Sequence, residues 1–253
     1  LIEDVQILSS NLVSNGDFSQ EGSEEVTNGD FATDSDWNLS SGATISNGKL
    51  IVTNAAQNSL IATQSNVVPT QKPCKLQLQI VVNSGSFRIL LGSGGTSTQI
   101  FASGTYTFYE TSGSFGTISL QARTGGFDGS IDNVSVKEVG QDWNLGTGWS
   151  IGENKIVAVN GDSYGTNQLN VTQINKKYKA TYTIEDYISG TVNLRMHTLN
   201  LQTRNSNGTF TEYFTSVGDH LYIQGGNNFN GSISNISVIE ISSDTNLPRI
   251  DYT

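Results

Sequence analysis

The chain has 253 residues, of which 35% are apolar or aromatic and only 14% charged, with a formal net charge of −10. An acidic chain of this kind lacks the basic face that nucleic acid requires, and no apolar run approaches the roughly 18–20 residues of a membrane helix. A single cysteine, Cys74, excludes an internal disulfide and a cysteine-rich zinc site.

The first 34 residues carry eight acids and no Lys or Arg. Asn15-Gly16-Asp17-Phe18 is echoed by Asn28-Gly29-Asp30-Phe31 thirteen residues later. Residues 1–27 read as an N-terminal arm or the remnant of a preceding domain. Its apolar Ile2, Val5, Ile7, Leu8, Leu12 and Val13 need cover from a neighbouring subunit or domain. A homo-oligomer, with a trimer favoured, follows as the expectation. The chain begins without Met and reads as a piece of something longer.

Beyond the arm the sequence repeats. Asp36-Trp37-Asn38-Leu39 returns 106 residues later as Asp142-Trp143-Asn144-Leu145. Gly104-Thr105-Tyr106-Thr107 returns 104 residues later as Gly208-Thr209-Phe210-Thr211. Gly129-Ser130-Ile131-Asp132-Asn133-Val134-Ser135-Val136 returns 102 residues later as Gly231-Ser232-Ile233-Ser234-Asn235-Ile236-Ser237-Val238. The shrinking offset means short loop deletions within one shared fold. Two units follow, 28–140 and 141–242, with 243–253 linking to a further segment. Leu76, Leu78, Ile80 and Val82 alternate with Gln77, Gln79 and Val81; Ala180, Tyr182 and Ile184 alternate with Thr181 and Thr183. That period of two is a half-buried strand, and pairs such as Asn47-Gly48, Gly125-Gly126 and Gly225-Gly226 punctuate the runs. Each unit therefore reads as an antiparallel β-sandwich, with Trp37, Trp143, Ile131 and Ile233 in the cores.

Asn28-Gly29-Asp30-Phe31, Trp37, the Gly48-Lys49-Leu50 strand and the closing Ile131-Asp132-Asn133-Val134-Ser135-Val136 form an ordered series. The series resembles carbohydrate-binding-module jelly rolls of the family 4/9/22 type, and its wording is similar to repeat domains of bacteriophage tail and virion appendage proteins. The resemblance implies an all-β chain of two tandem antiparallel jelly-roll sandwiches. It also implies a virion or extracellular location and a non-enzymatic structural or adhesive role. The expected partners are other virion proteins and cell-surface glycan. The alternative is a bacterial extracellular adhesin, or a glycan-binding module of a carbohydrate-active enzyme.

No catalytic set assembles from the sequence. The two histidines, His197 and His220, have no counterpart in the first repeat and no nucleophile-elbow phrase nearby. Cys74 beside Pro73 reads as a small buried filler. Sugar recognition by this resemblance would use aromatic platforms: Trp149, Tyr164 and Tyr187 in the second repeat, Tyr106 and Tyr109 in the first. Trp149 has only Ala43 opposite it in the other repeat, and core packing is its competing role. The resembled jelly rolls often hold a structural calcium between the opening segment and the last strand, which here designates Asp30 and Asp132. The competing reading is a pair of Asp-capped turns without metal. The second repeat has Ser234 for Asp132 and no Asn-Gly-Asp-Phe at its start, so any calcium belongs to the first.

Overall fold

Period-two alternation and frequent Asn-Gly and Gly-Gly turns produce strands throughout. The computed structural model describes residues 6–40, 42–92, 95–96, 98–162 and 166–242, and among them there is no helix. The chain divides into two antiparallel β-sandwich domains, as expected, and the opening segment belongs to the second. One is continuous, Glu21–Val139; the other joins residues up to Gln20 with residues from Gly140 onward. The first is therefore an insertion within the second, and they are called the inserted and the split domain below.

The inserted domain contains β1 (Glu21–Glu24), β2 (Asn38–Leu39), β3 (Ala43–Ser46), β4 (Lys49–Ala55), β5 (Leu60–Gln64), β6 (Pro73–Leu91), β7 (Gly95–Thr96), β8 (Gly104–Thr111) and β9 (Ile118–Val139). Strands β6 and β9 are 19 and 22 residues long, and each runs through both layers of the sandwich. The first half of β6 pairs with β8 and with the last half of β9, which also pairs with β4 and β1; this is layer A. The second half of β6 pairs with β7 and the first half of β9, which pairs with β5 and through it β2; this is layer B. The ladder breaks register between Val82 and Phe87, where the strands pass from one layer to the other. Gly85 sits there at φ +76, and a Cβ on it would lie 2.1 Å from the Gly126 carbonyl oxygen, so only glycine turns this corner. Leu76, Leu78 and Ile80 from layer A close one core with Phe87, Ile89, Leu120 and Ile61 from layer B.

The split domain repeats this plan with β10 (Trp149–Gly152), β11 (Lys155–Gly161), β12 (Asn167–Gln168), β13 (Lys177–Met196), β14 (Leu199–Asn200), β15 (Gly208–Thr215) and β16 (Leu221–Ile241). Layer A holds β15, the first half of β13, the last half of β16, β11 and β10. Layer B holds β12, the first half of β16, the second half of β13 and β14. As expected, Trp37, Trp143, Ile131 and Ile233 are all buried.

Residues 6–27 do not form one arm. Ile7 bridges Ile241, and the amides of Leu8 and Leu12 donate to the carbonyls of Glu240 and Val238, so this segment takes the place on β16 that β1 takes on β9. Val13 and Phe18 are buried. The chain divides at Gln20, and the second repeat does have an opening Asn-Gly-Asp-Phe: it is residues 15–18, separated from the repeat by the insertion. The equivalence is atomic. Trp37 Nε1 donates to Asn28 O at 3.0 Å and Trp143 Nε1 to Asn15 O at 3.1 Å. Phe31 lies 5.4 Å from Trp37, and Phe18 lies 5.3 Å from Trp143. Buried Gln64 accepts from Thr27 N and donates to Thr27 O and Asp36 O. Buried Gln168 does the same with Ser14 N, Ser14 O and Asp142 O. Ile2 and Val5 lie outside the described residues, as does the 243–253 linker.

Two outcomes follow from these contacts. Gln168→Ala strands buried backbone groups and should destabilise the split domain by about 2–3 kcal/mol. Calorimetry should show that transition lowered and the inserted domain's unmoved, with Gln64→Ala giving the reverse. Glu21 on β1 meets Lys75 at 2.5 Å and Lys137 at 3.0 Å, and those hydrogen bonds, Lys75 first, hold its carboxyl below the ordinary range. A depressed carboxylate stabilises the fold above its ordinary value and loses that contribution as pH falls through the lowered one. Because the group is about a third exposed, Glu21→Gln should cost about 0.5 kcal/mol at neutral pH. In urea titrations the difference from the unaltered protein should vanish in acid.

Candidate binding faces

Alternation along the layer B strands puts one set of side chains in the core and the other on the outer face. Along β16 and the residue before it, Leu221 and Ile223 are buried while His220, Tyr222 and Gln224 are not; in β13, Leu194 and Met196 are buried while Arg195 lies between them on the outer side. Cross-strand register then assembles a row. Asn144 bridges Asn167, Asn167 pairs with Tyr222, Tyr222 with Arg195, and Arg195 with Asn200. Directly paired residues share a face, so five polar or aromatic side chains cross the split domain in one line. The Arg195 guanidinium lies 5.8 Å from the centre of the Tyr222 ring. The His220 ring is stacked with Tyr222, 5.8 Å away at an interplanar angle of 15°. Gln224 and Asn193 pair in the next row on this face. Its chemistry is a ring with amides and a guanidinium around it, able to cover an apolar surface while hydrogen-bonding hydroxyls.

The inserted domain carries a different set on its equivalent face. Ser119 replaces Tyr222 and Leu90 replaces Arg195 in the row Asn38, Thr63, Ser119, Leu90. One row on, Arg88 pairs with Gln121 and donates from Nε to Gln121 Oε1 at 2.8 Å. Gln121 Nε2 donates to Asn58 O, and Arg123 Nη1 donates to Asn58 Oδ1.

The residues singled out from sequence are placed as follows. Trp149 is buried, stacks on Phe229 at 5.9 Å and donates from Nε1 to Asp162 O at 3.3 Å. It is a core residue and presents no face to a ligand, which corrects the platform reading: the smaller Ala43 occupies the matching site in the other core. Tyr106 shares the inward face of β8 with its partner Leu78, stacks on Phe108 at 5.9 Å and donates to Ala102 O, so it too is a packing residue. Tyr187 is half-buried against Phe229, its hydroxyl donating to Gly190 O. Tyr109 faces outward on layer A beside Lys75. Tyr164 lies outside the described residues. Two rings are not singled out by the sequence reading: the half-buried Tyr222, and Tyr213, which repeats Tyr109 on β15 opposite Lys179 and is 62% exposed.

Asp30 Oδ1 accepts from Ala32 N, and Asp132 Oδ1 accepts from Asn133 N at 2.7 Å. Each carboxylate caps a turn of its own segment. Asp132 lines a shallow recess with Lys49, Gln79, Thr105 and Ser130, and Asp30 is not among the residues lining it. Among the described residues no group of three or more His, Cys, Asp or Glu is gathered in metal-binding geometry.

His220 Nδ1 pairs with Asp219, whose carboxyl is held below its ordinary value chiefly by that bond. Ser216 nearby is buried and donates its hydroxyl to Gly218 O at 2.6 Å, so it is spent on its own turn. Burial pushes the Cys74 thiol up to about 11. Thiolate is the reactive form, so labelling of Cys74 by iodoacetamide near neutral pH should follow unfolding of the inserted domain. Rapid labelling of the folded chain would contradict this placement.

No protein-family model and no curated protein matches the chain. Among solved structures, the N-terminal CBM22-1-CBM22-2 tandem domain of Paenibacillus barcinonensis Xyn10C is similar, at 9% sequence identity and a TM-score of 0.35, covering 88% of this chain and 99% of that one. So loose a likeness says nothing about what the faces bind, and their reading rests on their own geometry.

Proposed function

We propose that this chain is a non-catalytic glycan-binding protein that serves attachment to a surface polysaccharide. The row Asn144, Asn167, Tyr222, Arg195 and Asn200 carries the reading. Sugar rings offer an apolar C–H face rimmed by hydroxyls, and the row offers the complement: a ring face for the first, amide and guanidinium groups for the second. Burying polar groups on both sides costs little when each finds a partner. The split domain supplies the ring, and nothing in its core needs Tyr222, since Ser119 serves at the matching position of the inserted domain.

A single shallow face of this kind binds weakly, and attachment comes from many faces acting together. The proposed setting is accordingly an oligomeric appendage outside the cell, a trimer on a phage virion in the reading that the opening and closing phrases of the repeats suggest.

The test is binding of the full chain to a panel of surface and storage polysaccharides, by array and calorimetry. Tyr222→Ala should weaken binding at least about tenfold, roughly 1.4 kcal/mol, with an unchanged melting temperature. Binding that survives Tyr222→Ala intact, or a chain that binds no glycan of the panel, would overturn the proposal.

A further inference from the structure

The cations of this chain are sorted by type. No lysine lies on the layer B strand segments of either domain, whereas Arg88, Arg123 and Arg195 all do. The remaining described arginine, Arg204, is paired with Glu212 and covers the Phe210 ring instead. Arg88 and Arg123 stand on the same outer face of the inserted domain, flanking Gln121 on β9. Gln121 and Asn58 hold both guanidinium groups by hydrogen bonds. The two like charges oppose each other: burial, and then the charge of Arg123, pull the Arg88 guanidinium below its ordinary value. Among the described residues neither meets a carboxylate, and Arg123 Nε is buried without a hydrogen-bond partner.

In a chain with ten excess negative charges, two half-buried cations without an acid between them are an unbalanced arrangement. An anion placed between them would remove the repulsion. Guanidinium forks match planar oxyanions, and such charge-assisted bonds are among the stronger ones available. The overall negative charge repels dense polyanions such as nucleic acid, which favours a ligand with isolated charges on a neutral backbone. We propose that Arg88 and Arg123 bind the carboxylate of a uronic-acid residue in an acidic polysaccharide, with Gln121 and Asn58 fixing the fork. This rests on the glycan-binding reading and names the chemical class of sugar that the inserted domain takes.

The experiment titrates the full chain with oligogalacturonide and oligoglucuronide, and with the same oligosaccharides reduced from carboxylate to alcohol. Calorimetry gives affinities, and the arginine Nε–H and Tyr222 ring signals report the face engaged by NMR. The carboxylated forms should bind roughly ten- to a hundredfold tighter than the reduced ones and should move the Arg88 and Arg123 signals. Arg88→Gln combined with Arg123→Gln should erase the difference without lowering the melting temperature, and Tyr222→Ala should leave it in place. Equal affinity for carboxylated and reduced forms overturns the inference. So does binding of neutral polysaccharide at Tyr222 with no response to either uronate; both results leave the glycan-binding reading standing. Silence of both faces toward every uronate and every neutral glycan of the panel overturns the two together.

Discussion

Each sandwich is closed by a backbone crossing too tight to admit a side chain. A Cβ on Gly29 would lie 1.9 Å from the Val134 carbonyl oxygen, and one on Gly16 would lie 2.1 Å from that of Ile236. At that separation the opening segment bonds the last strand directly, Val134 N to Gly29 O and Ile236 N to Gly16 O. The rest of the motif serves this crossing. Phe31 and Phe18 enter the core beside Trp37 and Trp143, whose indole N–H groups bond back to the motif's first residue. A glutamine on the neighbouring layer B strand bonds the residue just before it. Aromatic burial and satisfied polar groups thus act on one short stretch of chain, where a missing partner would leave several buried donors and acceptors unpaired.

That constraint explains the order of the chain. The split domain cannot close until residues 14–18 reach β16, although more than a hundred residues of another domain intervene in sequence. The insertion is tolerated because the inserted domain's own ends are neighbours: Glu21 pairs with Val139 on adjacent strands. A domain whose termini meet adds little loop-closure cost to its host. The outer faces of layer B are built on the two long strands that the crossing helps to fix, which gives their polar rows a defined spacing.

Much of this was legible in the sequence. Alternation gave the strands, and the matched phrases gave two copies of one fold with the tryptophans inside. The echo of Asn15–Phe18 at Asn28–Phe31 was visible, but its meaning was not. Adjacency in sequence suggests an arm, whereas the backbone pairing of residues 6–20 with β16 joins segments over two hundred residues apart, and their side-chain bonds reach Trp143 and Gln168. The aromatic residues divided less cleanly. Trp149 looked dispensable to the shared core because Ala43 stands opposite, yet two cores of one fold need not fill the same volume with the same residues. Tyr222 carried both signals that identify it, alternation with buried Leu221 and Ile223 and a mere Ser119 at the matching position. Repetition between the units does not mark it; its phase along the strand does.

Residues 6–20 are an integral strand and plug of the split domain, and amide hydrogen exchange across the chain with and without residues 1–20 tests this. Removal should abolish protection throughout 140–242, including β13, with which the described part of the removed segment makes no backbone pairing, while β6 and β9 of the inserted domain keep theirs. Retained protection in β13 and β16 after removal would contradict it.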